Sequence, residues 1–174
     1  MKCMKTVVPG LALACSFLAG PLLAREPPTS GLQQDLQRYA AAWGSRDADR
    51  IVALHSEDST FQLFVDGATP ARGKVEIRAQ FQKILTDNPQ YSSSIRSIRL
   101  GGDFAVIEYD IAMQPPRPFT LGRYRYRPSG KAYSVPAVDV IQFENGLVTS
   151  KATYLDTGAA RANSQSAESP AAVK

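Results

Sequence analysis

Asp139 lies inside the stretch Ser134–Val148, "SVPAVDVIQFENGLV", where its neighbours along the chain are apolar. A carboxylate so placed can move a proton, anchor the polar end of a ligand, or pin the sheet through hydrogen bonds. If Asn145-Gly146 is a two-residue turn, Glu144 pairs with Leu147. Counting back then sets Phe143 against Val148, Ile141 against Ser150, Asp139 against Ala152 and Ala137 against Tyr154, all on one face. On that count Lys151 falls opposite Val140 on the other face, so no basic group of the hairpin neutralises Asp139. Burial without a partner penalises the charged form, which predicts a pKa above the usual ~3.9 and an Asp139→Asn variant that is neutral or stabilising near pH 7.

The other chemistry-bearing residues are sparser. His55 is the single histidine, so a Ser-His-Asp triad has to be built on it, yet it shares a helical stripe with Ile51 and Leu54 and reads as a packed or pocket-mouth side chain. One histidine and no cysteine in the mature chain give too few ligands for a zinc site. Glu108 and Asp110 share one face of a strand whose other side is apolar, which predicts a pair facing water. "RYRYRP" sets Arg123, Arg125 and Arg127 on one face and Tyr124 and Tyr126 on the other, the pattern of an exposed hairpin with solvated arginines. Pro128-Ser129-Gly130-Lys131 lacks the spacing of a phosphate loop and reads as a turn.

These residues need elements to hold them. Leu32, Leu36, Tyr39, Ala40 and Trp43 recur at helical spacing up to Gly44, and Asp47 is a fitting N-cap for a second short helix. Thr60–Val65 alternates as a strand, and Ile77, Phe81, Ile84 and Leu85 mark a third helix. Beyond it the chain turns to strands: Tyr91–Leu100 and Phe104–Met113 joined at Gly101-Gly102, a short hairpin around Gly122–Arg127, and Tyr133–Glu144 returning through Asn145-Gly146 to Leu147–Leu155. Helices first and an antiparallel sheet afterwards is an α+β order, which predicts a curved sheet folded around helices with an apolar pocket between them.

The chain's ends carry other signals. Lys2 and Lys5, an apolar run from Val7 to Leu23 and the small Ala24 predict an export signal over residues 1–24, followed by a linker at 25–30, a folded domain at 31–157 and a disordered Ala/Ser-rich tail at 158–174. Lipidation at Cys15 stays open. Cys3 and Cys15 both fall in the removed segment, so the mature domain has no disulfide, and its charge drops from +4 to +2 with 18 basic residues against 16 acidic. So small an excess argues against nucleic-acid or membrane partners. The expected location is periplasmic or secreted.

Three segments, "LQRYAAAWGSRDADRIVALHSEDSTF", "ARGKVEIRAQF" and "VPAVDVIQFENGLVTSKATYLD", resemble the SnoaL-like and ketosteroid isomerase-like branch of the nuclear transport factor 2-like superfamily. The resemblance spans about Leu32–Asp156 and implies a cone-shaped fold whose strongly curved sheet wraps N-terminal helices. It implies Tyr39 as an oxyanion-hole tyrosine and Asp139 as its partner acid, the acid that ketosteroid isomerases keep neutral in an apolar site. The isomerase general base aligns with Leu63, so steroid isomerisation is expected to be weak or absent. The Asp-Arg-Asp set of limonene epoxide hydrolases is broken here by Glu108 and Thr153, with only Asp110 matching. The resemblance thus implies either an isomerase or cyclase-type enzyme with Asp139 and Tyr39 as catalytic pair, or a binding module of the same fold. Trp43, Phe61, Leu63, Phe81 and Tyr154 are the expected pocket walls, His55 and Asp66 are further candidates, and the partner is a small apolar ligand without cofactor or metal. A homodimer is left open.

Overall fold

The structure, a computed structural model, describes residues 31–168. The expected export signal, the linker and Cys15 lie outside the described residues.

Helix α1 (Gly31–Gly44) buries Leu36, Tyr39 and Ala42. Helix α2 (Ala48–Val52) starts where the Asp47 side chain accepts the backbone N–H groups of Asp49 and Arg50, the N-cap that its position in the sequence suggests. It is shorter than the apolar stripe predicts: His55 opens strand β1 (His55–Phe64) instead of closing a helix. Strand β2 (Ala71–Arg72) leads into α3 (Gly73–Asp87), buried through Ile77, Phe81 and Leu85 as the spacing requires.

The long strands follow: β3 (Ser92–Leu100), β4 (Phe104–Met113), β5 (Phe119–Leu121), β6 (Tyr124–Pro128), β7 (Tyr133–Glu144) and β8 (Leu147–Leu155). A six-stranded sheet runs in the order β2-β1-β8-β7-β4-β3, with β1 and β8 parallel and the other pairs antiparallel. The main core lies where α1, α2 and α3 cover one face of this sheet. Asn145 and Gly146 both take positive φ, 51° and 79°, as a tight hairpin demands. Gly101 and Gly102 do not, so positive φ is not their role. A side chain on Gly101 would come within 2.2 Å of the Phe104 ring, and close approach is what glycine allows there.

The expected disordered tail is corrected in part. Residues Thr157–Ala162 form α4, capped by the Asp156 carboxylate, and Ser164–Glu168 form β9, which pairs with β6 in a second sheet ordered β5-β6-β9. Ala160 packs with Phe119, Tyr126 and Val135 in a smaller core beneath this sheet. Local sequence lacks the apolar periodicity that announces an element, because small alanines and a strand edge supply the packing.

Candidate functional site

A cavity of about 680 Å³ opens between α1, α3 and the helix-covered face of the large sheet. Its walls include Leu36, Trp43, Phe61, Leu63, Ile107 and Ile111, and its polar groups gather where β4, β7 and β8 run side by side: Tyr109, Asp139, Lys151 and Thr153. Pockets of ~300–1,000 Å³ hold drug-sized molecules, and a few convergent polar groups in apolar walls are what fix such a ligand's orientation.

Lys151 reaches this site through one extra residue. The β7–β8 register runs as the turn dictates through Glu144–Leu147 and Phe143–Val148, then steps to Gln142–Ser150, leaving Thr149 without a partner. The parallel β1–β8 ladder is irregular at the same place, stepping from His55–Val148 to Thr60–Ser150. A bulge of one residue reverses which side chains face inward for the rest of the strand. Asp139 therefore lies opposite Thr153, not Ala152, and Lys151 lies opposite Ile141. The expectation that no basic group of the hairpin meets Asp139 is overturned, and with it the premise that its carboxylate is unpaired.

Three donors converge on the Asp139 carboxylate. Tyr109 Oη donates to Oδ1 at 3.1 Å, Thr153 Oγ1 donates to the same oxygen at 2.6 Å, and Lys151 Nζ donates to Oδ2. Asp139 is 6% exposed and Lys151 4%, so both partners have lost nearly all contact with water. The Lys151 ammonium also faces the ring of Trp43, 5.7 Å from its centroid. Burial pulls the Lys151 pKa below the ordinary lysine range, and the neighbouring Asp139 opposes that pull. Burial pushes the phenols of Tyr39 and Tyr109 well above their ordinary values, and Tyr91 up as well, with the Asp139 charge acting in the same direction on all three. They stay protonated and remain hydrogen-bond donors.

Tyr39 shares the cavity with Asp139, but its hydroxyl bonds elsewhere. It lies 3.0 Å from His55 Nε2, and His55 Nδ1 lies 3.3 Å from Ser59 Oγ, a chain of three buried polar groups. Burial, then the charges of Lys151 and Lys74, lower the His55 pKa to about 3, so the ring is neutral. One nitrogen then donates and the other accepts, and the tautomer decides whether the Tyr39 hydroxyl can donate into the cavity.

Trp43, Phe61 and Leu63 line the cavity as the sequence suggests, and two expected wall residues do not. Phe81 packs behind the wall against Trp43, His55 and Phe61. Tyr154 is turned to the outer face by the bulge, 45% exposed and stacked on Phe64 at 4.4 Å. Asp66 accepts from the Tyr124 hydroxyl at 3.1 Å and pairs with Arg123 at 2.7 Å, which ties the β1–β2 loop to the β5–β6 hairpin instead of aiming a base inward. Glu108 and Asp110 pair with Arg99 and Arg96 on β3, on the face away from the cavity. Lys151, Thr153 and Tyr109 are the cavity residues around Asp139 that sequence reasoning missed. Among the described residues no group of three or more His, Cys, Asp or Glu side chains could hold a metal ion.

A curved antiparallel-rich sheet closed over helices is the fold of the ketosteroid isomerase-like, nuclear transport factor 2-like class. Within it the chain belongs to the SnoaL-like domain family, which matches residues 36–151. Solved structures agree on the fold. A candidate SnoaL-like polyketide cyclase from Jannaschia sp. CCS1 superposes with a TM-score of 0.65 at 19% identity, covering 80% of this chain and 94% of that one. An NTF2-like protein of unknown function from Burkholderia pseudomallei K96243 gives 0.64 at 17%, covering 79% and 99%. A protein of ketosteroid isomerase-like fold from Catenulispora acidiphila DSM 44928, solved in complex with trimethylamine, gives 0.61 at 17%, covering 75% and 92%. No curated protein matches the chain.

Proposed function

We propose that the protein binds a small, largely apolar carbonyl compound in the cavity and moves a proton at a carbon beside the carbonyl, chemistry of the isomerase or cyclase type. The observation that carries this reading is the buried Asp139–Lys151 pair facing an apolar cavity of about 680 Å³. Taking two charges out of water costs several kcal/mol per ion, and apolar residues of like volume often serve stability as well. A pair held at the polar end of a cavity is better accounted for by a ligand than by stability. In this reading Asp139 carries the proton, Tyr109 holds that carboxylate in place with its one O–H, and protonated Tyr39, when the His55 tautomer frees its hydroxyl, hydrogen-bonds the oxygen that gains charge.

Leu63 favours a second reading, binding without turnover, because an aliphatic side chain stands where the related isomerases carry their base. The two share a first test, the melting temperature with decalone, a two-ring ketone, beside mass spectrometry of molecules that copurify. A rise with decalone and an apolar carbonyl compound released on denaturation are the expected results. No shift with decalone and a polar or ionic passenger would contradict both readings.

A further inference from the structure

Proton transfer by Asp139 leaves unexplained why the residue beside it is a primary amine that opens onto the cavity. Lys151 is distinctive among the described lysines: Lys74, Lys83 and Lys131 are partly or fully exposed, and Lys74 and Lys83 pair with surface carboxylates. Lys151 alone combines burial, a place in the cavity wall and a hydrogen bond to a single carboxylate oxygen, Asp139 Oδ2. The other carboxylate oxygen is already taken by Tyr109 and Thr153. The arrangement directs one short proton path, from Nζ to Oδ2. The ring of Trp43, also in the cavity wall, faces the same nitrogen at 5.7 Å from its centroid.

We propose that Lys151 is a covalent capture site for ketones and aldehydes, condensing through Nζ with the carbonyl carbon of the bound molecule while Asp139 carries the protons. The inference rests on the reading that the cavity admits an apolar carbonyl compound. Lys151 passes a proton to Asp139 Oδ2, and the neutral amine attacks. The C–N bond forms as the carbonyl π pair moves to oxygen, which takes up a proton released from the nitrogen. The hydroxyl then leaves as water with the proton held by Asp139. The balance is one ammonium and one carbonyl giving one iminium and one water, with Asp139 returned to its starting state and no oxidant or reductant needed. Desolvation favours the neutral amine, which is how buried lysines become nucleophilic. An iminium also withdraws electrons from the adjacent carbon and acidifies its C–H bonds, which lets Asp139 act as base in a site where Leu63 replaces the stronger arrangement.

The test uses the whole mature chain with two probes. Acetylacetone condenses with a reactive lysine to a conjugated enaminone that absorbs in the near ultraviolet, and decalone with cyanoborohydride fixes any iminium as a stable secondary amine. Peptide mapping of wild-type protein is expected to place both adducts on Lys151, forming roughly tenfold faster than on Lys83 at the cavity mouth, as desolvation implies. Lys151→Arg is expected to lose them, and because the mapping is done on wild-type protein the test survives a variant that does not fold. If decalone raises the melting temperature but no adduct forms on Lys151, or all lysines react alike, covalent capture is wrong and the binding reading stands. If decalone neither binds nor reacts, both fall together.

Discussion

Asp139 and Lys151 neutralise each other while almost fully buried, so removing either one strands the other. Asp139→Asn leaves a buried ammonium with only neutral partners, and the expected cost is about 3–5 kcal/mol at pH 7. This reverses the expectation drawn from the turn alone, in which Asn relieved an unpaired carboxylate. Urea unfolding of Asp139→Asn, and of Asp139→Asn combined with Lys151→Met, checks it: the double variant should recover most of the loss. A single variant as stable as wild type would contradict the pair. His55 supplies a second residue-scale prediction. Its folded pKa of about 3 lies below the unfolded value, so the unfolded state binds the extra proton as pH falls through 6.5. Its contribution is complete above that value and declines toward acid, by about 2 kcal/mol between pH 7 and 5. Comparing unfolding of wild type and His55→Gln across that range isolates the effect, since Gln does not titrate there. At this scale Asp139, Tyr39, Trp43, Phe61 and Leu63 were legible as facing one interior, because each repeats with the apolar period of its own element. Lys151 was not, since parity along β8 depends on a bulge that no residue type announces.

Thr149 is one residue in β8, yet it shifts the count from the turn for those that follow. Deleting it would close the ladder without the bulge: Ser150 would follow Val148 directly, the Gln142–Ser150, Ile141–Lys151 and Asp139–Thr153 pairs would persist, and Lys151 and Thr153 would still face inward. The deletion is therefore expected to leave decalone binding, and the protection of Lys151 from amine-reactive labels, in place. Lost binding with Lys151 labelled would contradict this and show that the β1–β8 ladder, irregular at the same place, needs the extra residue. The β5–β6 hairpin is held by a second backbone constraint. Gly122 has φ of 56°, and a Cβ there would lie 1.9 Å from the Asp66 carbonyl oxygen. Gly122→Ala should cost about 1–3 kcal/mol and loosen the cavity rim that Gly122 helps form, read as a lower melting temperature and faster hydrogen exchange in β5 and β6. The Asn145-Gly146 turn was legible because positive φ has few residue solutions. The loop tie through Asp66 was not, because its partners Tyr124 and Arg123 lie far along the chain and only the folded sheet brings them together.

The molecule as a whole is a helix-covered sheet with a smaller sheet closing one end, and the chain's last described elements belong to that smaller unit. Ending the chain after Asp156 removes α4 and β9, uncovering Tyr126, Phe119 and Val135 and leaving β6 with an open edge. A lower melting temperature and a greater tendency to associate are expected, and an unchanged melt would make the tail dispensable. The α+β order and the family were legible because long amphipathic helices and alternating strands dominate the chain. The tail was not, since its contacts are small residues against a distant hairpin. We further propose that residues 1–24 direct export and that the mature chain begins near Arg25, which N-terminal sequencing of the exported material checks. The central claim, that this cavity takes an apolar ketone and moves a proton beside its carbonyl, is tested most directly by the proton NMR signal of decalone in deuterated buffer. Wild-type protein should speed the loss of the signals from hydrogens adjacent to the carbonyl well beyond buffer alone, and the double variant Asp139→Asn with Lys151→Met should not. Decalone that binds, by its own melting shift, while those signals fade no faster than in buffer would contradict the claim and leave a binding protein.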